Sequence, residues 1–366
     1  MNDPSVRSVL IVGGGIAGSV CAIRLRQLGV DVTLAEKETF PRSKVCGCCL
    51  GGAGLQAFDG IGLREWLIER GVKTNRWKSS LGKQMVELDL PDGVAVSRQT
   101  LDTDLLDHAR SLNARVLQPC RISMGRHDQT TTNVTLHQDG QRTQSRFGLI
   151  IMAGGLNSAD LNRMLPWQRS PHGPFGTSFQ ARIDGIEPAV IYMACDDDGY
   201  VGLVKLEDGR VDVAAALTSG SEAAGGGSPR QRVDAILKRS HFERWKIEEE
   251  SAVMTTPPLR RSRAAGAGRL LAIGDAAGYV EPFTGEGMTW AAESAIAAAD
   301  FIASQNDWSD LGDRWNHQSR SLLRRKKLAC RAITTTLRSA SVRRFAGVLL
   351  SQWPSLAHPL VQSLNR

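Results

Sequence analysis

Apolar positions first gather in a strand-like run, Val9 to Val12, that stops at Gly13-Gly14-Gly15-Ile16-Ala17-Gly18; Val20, Ile23 and Leu25 then follow at helical spacing up to Gly29. The pattern predicts strand, glycine-rich turn, helix and glycine stop. A second strand, Val30 to Ala35, ends on Glu36. Leu63 to Arg70 reads as a short helix stopped by Gly71, and Leu101, Leu105, Leu106, Ala109 and Leu112 make one apolar helical stripe. Asp102 and Asp104 fall in the first turn of that helix, where its dipole favours carboxylates.

Asp92-Gly93, Asp139-Gly140 and Asp208-Gly209 each follow or separate alternating apolar segments. Each predicts an antiparallel hairpin, because both turn residues tolerate positive φ. Strand signals are densest from Phe175 to Leu217, and a loop follows at Gly225-Gly226-Gly227-Ser228-Pro229. A strand returns at Leu270 to Ile273, and Gly274-Asp275 then leads through a turn into an Ala-rich helix from Gly287 to Ala303. α/β units at both ends with hairpins between them predict an α/β fold: a Rossmann-type dinucleotide-binding domain with an inserted β-rich domain and a C-terminal helical segment. At roughly 150 residues per domain, a chain of 366 residues accommodates that division.

Charge changes the picture at one end. The formal net charge is +7, yet Arg314 to Arg366 carries eleven basic residues and no acidic one, leaving the body with 34 basic against 38 acidic, or −4. A nucleic-acid binder carries its basic patch within the recognising fold, so no nucleic-acid partner is expected. No apolar run reaches the ~18 residues of a membrane span. No signal-peptide cleavage pattern is read at the N-terminus, and the seven cysteines, odd in number and clustered, do not form a disulfide framework. A cytoplasmic location is expected.

The glycine turn has the chemistry of a dinucleotide site. Gly13 makes the tight turn, Gly15 lets backbone approach a pyrophosphate, Gly18 lets helix pack on strand, and Glu36 is placed to accept hydrogen bonds from a ribose. The run Gly274 to Met288 reads GDAAGYVEPFTGEGM. It suits a flavin: Asp275 would meet the ribityl chain, and the N–H groups of Gly285, Gly287 and Met288 would face the pyrimidine end of the ring.

Together these segments resemble the FAD-dependent oxidoreductases that include geranylgeranyl reductases, aromatic-ring hydroxylases and flavin-dependent halogenases, over about residues 8–304. Phe40-Pro41-Arg42-Ser43-Lys44-Val45-Cys46-Gly47 is similar to the loop that in geranylgeranyl reductase-like members, the closest in motif, runs beside the flavin. Ser97-Arg98 with Leu101-Asp102 resembles the family's Arg-x-x-Leu-Asp segment, whose Arg contacts the cofactor. Ala153-Gly154-Gly155-Leu156-Asn157-Ser158 matches a turn that normally reads Ala-Asp-Gly-x-x-Ser; Gly154 in place of Asp argues against the NADPH-docking role of that turn in ring hydroxylases. Gly199-Tyr200-Val201-Gly202-Leu203-Val204 stands where halogenases carry Trp-x-Trp-x-Ile-Pro, and no Trp-x-Trp occurs in the chain, which disfavours halogenation. The resemblance implies FAD as cofactor, NADPH or NADH as electron donor, and Ile16, Ala17, Lys37, Arg42, Lys44, Gly47, Gly274 and Pro282 as further cofactor contacts. It also divides the chain: 1–75, 98–165 and 262–305 bind FAD, 76–97 and 166–261 form the β-rich substrate domain, and 306–366 is the basic helical segment.

Cys46, Cys48 and Cys49 admit three readings. A metal site lacks a second ligand cluster, and none is expected. A Cys46–Cys49 redox pair lacks a thioredoxin-like context. As flavin-side residues, Cys46 takes the Cys-Gly position of the reductase-like members and is the first catalytic candidate, able to move a proton at a substrate carbon; Glu286 and Tyr200 are the other polar candidates. Two reaction classes follow from the resemblance: reduction or oxidation of a carbon–carbon double bond in a hydrophobic isoprenoid-lipid or polyketide-like substrate, and flavin-dependent hydroxylation of an aromatic or protein-bound one. An electron-transfer or maturation role on a partner protein is the third reading. The basic segment predicts amphipathic helices, with Leu322, Leu323, Leu328, Ala329, Ala332, Ile333, Leu337 and Ala340 apolar. Such a segment suits an anionic membrane surface at the inner face of a membrane, an acidic carrier protein, or a lid over a long apolar cavity.

Overall fold

Strands Val9–Val12, Leu149–Met152 and Leu270–Ala272 are apolar at nearly every position, which is what a parallel sheet covered on both faces requires. In the computed structural model, which describes residues 7–128, 130–156, 159–220, 226–281, 286–322 and 324–364, they occupy the middle of a six-stranded sheet. Its order is Gly266–Ala267, Leu270–Ala272, Leu149–Met152, Val9–Val12, Val32–Ala35 and Arg115–Leu117, parallel except for the first pair. Val9, Ile11, Leu149 and Ile151 face helices Ile16–Gln27, Arg98–Ser111 and Gly287–Ala303. Leu10, Ile150 and Met152 face the small sheet Arg121–His127, Thr132–Gln138 and Gln141–Phe147 through Val134, Leu136 and Phe147. The alternation of a strand thus builds two cores from one sheet.

A ten-stranded sheet forms the other half. Trp167–Arg182, Val211–Leu217, Gly199–Lys205 and Val190–Asp196 are its antiparallel centre, and Val72–Leu81 joins Val190–Asp196 in parallel. One face carries Phe179, Val201, Val213 and Tyr192, packed on helix Pro229–Lys238 and on Phe242 and Trp245. This sheet also takes Cys49–Leu50 and Gly278–Tyr279 from stretches assigned above to the cofactor domain, because both run antiparallel to its strands, one along Val94–Ala95 and the other along Arg261–Ser262.

Two of the three Asp-Gly pairs make hairpin turns, between Thr132–Gln138 and Gln141–Phe147 and between Gly199–Lys205 and Val211–Leu217. Asp92-Gly93 does not: Gln84–Ala95 is one strand, and the chain reverses before it at Gly82-Lys83. Gly93 serves close approach instead, since a Cβ there would sit 2.6 Å from the Leu50 carbonyl oxygen.

The C-terminal segment is part of the fold. Helix Leu311–Leu322 docks on the parallel sheet, where buried Trp315 donates its indole N–H to the Ala272 carbonyl at 3.2 Å. Helices Arg324–Arg338, Ala340–Gln352 and His358–Leu364 then cross the open side of the large sheet. Among the described residues no helix is long and apolar enough to cross a membrane.

Candidate active site between the two sheets

The glycine turn is closed by contact. A Cβ at Gly18 would lie 1.8 Å from the Gly13 carbonyl oxygen, so only glycine allows helix Ile16–Gln27 to start against the strand. That helix has no side-chain cap, leaving its first N–H groups directed out of the fold's own bonding. Glu36, buried at the end of Val32–Ala35, accepts from the N–H of Gly14 at 2.7 Å and of Glu38 at 2.8 Å.

Over this turn stand two cations. Lys44 Nζ comes within 2.9 Å of where a Cβ on Gly15 would be, and an Arg98 guanidinium nitrogen within 3.6 Å. Both are held by Asp102: Lys44 at 2.6 Å, and Arg98 through a forked contact at 2.8 to 3.0 Å. Asp102 is buried, and although burial alone would raise its carboxyl, Arg98 and then Lys44 keep it below the ordinary value. Asp102 therefore does not serve the helix dipole, as expected above. Ser97 caps the helix, accepting from Thr100 N–H, and this start places Asp102 beyond the first turn.

A cavity of about 1300 Å³ begins at Gly13, Gly15, Ile16, Ala17, Glu36 and Lys37 and takes in Arg42, Lys44, Cys46, Gly47, Arg98, Gly154, Asp275, Gly287 and Met288. Gly18 and Gly274 lie behind this wall, packing turn on strand and Asp275's turn on Ala17. Pro282 and Gly285, like Asn157 and Ser158, lie outside the described residues. Glu286 and Tyr200 reach the cavity; Glu286 is buried, and burial followed by the Glu281 carboxylate pushes the Tyr200 phenol well above its ordinary value. The residues present fit FAD: a helix N-terminus with two cations for the pyrophosphate, a carboxylate for the ribose, and the uncapped start of Gly287–Ala303 for the ring. The volume exceeds the ~300–1,000 Å³ of common small-ligand sites, leaving room for a substrate beside it.

Strand Cys49–Leu50 fixes the cysteine loop. Cys48, at φ +52, accepts from Val96 N–H through its carbonyl and donates its own N–H to Cys46 Sγ at 3.3 Å. Its thiol also bonds Cys46, which with the Arg98 charge overcomes burial and brings Cys46 down to about 6. The Cys48 thiol is pushed well up by the same bond and by burial. Cys49 instead packs with Ala95, Val204 and Leu206, so the thiol that bonds Cys46 is that of Cys48 and not that of Cys49, the partner in the redox-pair reading. All seven cysteines are free, and among the described residues no three His, Cys, Asp or Glu side chains gather as metal ligands.

Sequence reasoning missed Asp212. It projects from Val211–Leu217, away from Val211 and Val213, and is 4% exposed; one carboxylate oxygen has no hydrogen-bond partner. Burial, then the Cys46 charge, raise its carboxyl well above the ordinary value, while the Cys48 thiol bonds it. Its only sequence signal was an acid inside an apolar strand. The remaining cavity wall is largely apolar, with Trp77, Leu88, Met193 and Leu203 from the large sheet and Ile333, Leu337 and Leu350 from the C-terminal helices.

The family described as FAD binding domain matches residues 7–310. Menaquinone reductase of Mycobacterium tuberculosis is 28% identical over 328 residues, 84% of this chain and 78% of that protein. Digeranylgeranylglycerophospholipid reductase 2 of Methanothermobacter thermautotrophicus is 26% identical over 307 residues, 81% of this chain and 77% of its own. Kynurenine 3-monooxygenase of Xanthomonas oryzae pv. oryzae is 27% identical over 341 residues, 84% and 74% of the two chains. The flavin-dependent brominase Bmp2 superposes with a TM-score of 0.80 at 19% identity, over 98% of this chain and 92% of that one, a likeness of fold. The match runs unbroken from the glycine turn through Asp275 to the start of the C-terminal helices, so the chain belongs to the FAD binding domain family and is an FAD-dependent oxidoreductase.

Proposed function

We propose that the protein reduces, or in the reverse direction forms, a carbon–carbon double bond in a hydrophobic substrate of isoprenoid-lipid or polyketide-like type. The observation that carries this reading is Cys46, a thiol of depressed pKa on the wall of a cavity that is otherwise largely apolar. Bound FAD would supply or accept the electron pair as hydride. Cys46, held as thiolate by the Cys48 S–H, takes the proton from the neighbouring substrate carbon when the double bond forms. In reduction the proton of the Cys48 S–H passes to Cys46 Sγ and on to that carbon, and Cys48 regains a proton from the Asp212 side. The Asp212 carboxyl, whose affinity for a proton is raised by burial, stands behind Cys48 as a proton store. The two reductase relatives support this reading, and the kynurenine 3-monooxygenase relative favours hydroxylation as the second one.

The test is anaerobic. FAD-loaded protein is reduced with NADPH or NADH, the expected donors, and mixed with a polyprenyl quinone or polyprenyl lipid. Reoxidation of the flavin without oxygen, with two hydrogens gained by the substrate, is the expected result. Cys46→Ala should keep reduction by the donor and lose the product. Reoxidation by oxygen alone, with an oxygen atom added to the product, would sink the proposal in favour of hydroxylation.

A further inference from the structure

The C-terminal helices have two apolar sides, and only one of them faces the protein. Of the ten large apolar side chains exposed among the described residues, seven fall between Leu322 and Leu356. On helix Ala340–Gln352, Ala346 and Leu350 line the cavity while Val342, Phe345 and Val348 face out, Phe345 being 69% exposed. Trp353 and Leu356, each 55% exposed, follow directly after Ala340–Gln352, and Leu328 on Arg324–Arg338 is exposed as well.

The orientation is fixed from inside. A Cβ at Gly347 would lie 2.7 Å from the Leu81 carbonyl oxygen, so the helix lies directly on strand Val72–Leu81. Buried Arg343 binds the Leu337 carbonyl at 2.9 Å and Asp197 at 2.6 Å. Phe345 and Val348 cannot turn inward without breaking these contacts. Around them the segment is uniformly basic: Arg320, Arg324, Arg331 and Arg344 are exposed, and no Asp or Glu occurs from Arg314 onward.

The geometry points to docking of this face on an anionic lipid bilayer, in the plane of the headgroups. Exposed Phe345 and Trp353 on a segment whose exposed charges are all basic match that interface in both apolarity and charge. An acidic protein would answer the charge; an anionic bilayer answers it and also takes up exposed Phe, Trp and Leu side chains at headgroup level without a shaped partner surface. The same helices form the apolar wall of the cavity with their inner sides, so docking brings a lipid phase to within one helix thickness of the substrate space. The docking holds whatever the reaction class; only the delivery of substrate from lipid rests on the reading proposed above.

The test uses the FAD-loaded full chain and flotation with vesicles of phosphatidylcholine, alone or mixed with phosphatidylglycerol, and needs no turnover. The mixed vesicles should carry the protein upward, and added salt should weaken this. Phe345→Ser with Trp353→Ser, and separately Arg331→Glu with Arg344→Glu, should each weaken binding about tenfold or more, with flavin spectrum and unfolding temperature kept. Absence of binding to the anionic vesicles, or binding untouched by both double variants, overturns the inference. It is equally overturned if the free chain self-associates and Phe345→Ser with Trp353→Ser abolishes that, since the patch is then a face between copies.

Discussion

Replacing Cys48 by Ala isolates the interaction that lowers Cys46. The Cys48 thiol is the largest lowering influence on Cys46, burial opposes it, and the Arg98 charge assists. A hydrogen bond to a charged acceptor contributes roughly 1.5–3 kcal/mol, and a pKa unit corresponds to about 1.4 kcal/mol. Losing the thiol should therefore raise Cys46 by about one to two units. The backbone N–H of residue 48, at 3.3 Å from the sulfur, remains and sets the limit on the rise. The assay is the pH dependence of alkylation by iodoacetamide, with Cys46 followed by peptide mapping. In the wild type the rate should reach half its plateau near the value of about 6, and in Cys48→Ala at correspondingly higher pH. Cys49→Ala, which empties a space beside Ala95 and Val204, should leave the Cys46 profile in place. An unchanged midpoint in Cys48→Ala would refute the pairing, and with it the proton path through Cys48.

Gly18→Ala should abolish FAD retention, read as loss of visible absorbance after purification, because its Cβ meets the Gly13 carbonyl oxygen at 1.8 Å. Asp102→Asn leaves Lys44 and Arg98 without a counter-charge in a buried site and should cost about 3–5 kcal/mol in denaturant unfolding. The Asp102 carboxyl is depressed in the folded state, so its stabilisation is full above the ordinary carboxylate range and fades as pH falls through the folded value; the gap between wild type and variant should close on acidification. Arg338→Met removes one of two guanidiniums from fully buried Glu281, to which Arg338 binds at 2.6 Å and Arg260 at 3.1 Å. With Arg260 still in place the loss should be about 1–3 kcal/mol, measured as a lower unfolding temperature with faster exchange of an apolar dye from the cavity.

What the chain discloses in sequence is what contiguous residues decide. The glycine turn, its helix and Glu36 are readable because turn, packing and carboxylate follow one another along the chain. Asp102 is misread for the opposite reason: its partner Lys44 arrives from another loop, and the helix start is set by Ser97. Asp92-Gly93 has the right turn chemistry, yet the approach of Leu50 to Gly93 makes a straight strand the better use of that glycine. Asp212 is visible as an acid among valines, but period-two alternation shows only that it faces away from Val211 and Val213, not that Cys48 lies there. On Ala340–Gln352 Phe345 and Leu350 are both apolar in sequence, and the seat of Gly347 on Leu81 goes with Leu350 at the cavity and Phe345 outward.

The basic excess of the tail is divided by the same packing. Arg338 and Arg343 turn inward, one to Glu281 and one to Asp197, and so lock two successive helices onto the large sheet. Glu281, 0% exposed and shared with Arg260, makes the first of these clamps costly to open, since leaving Arg338 unplaced would return a buried carboxylate to a single partner. Those helices can therefore carry an outward charge and a bare apolar patch without collapsing on the cavity they cover. One helix layer separates the outward apolar side chains from the cavity, since Ala346 and Leu350 line it while Phe345 and Val348 are exposed. The cations that fasten these helices and the cations that face solvent belong to one stretch of chain, the same stretch that supplies the apolar wall of the cavity lined by Cys46.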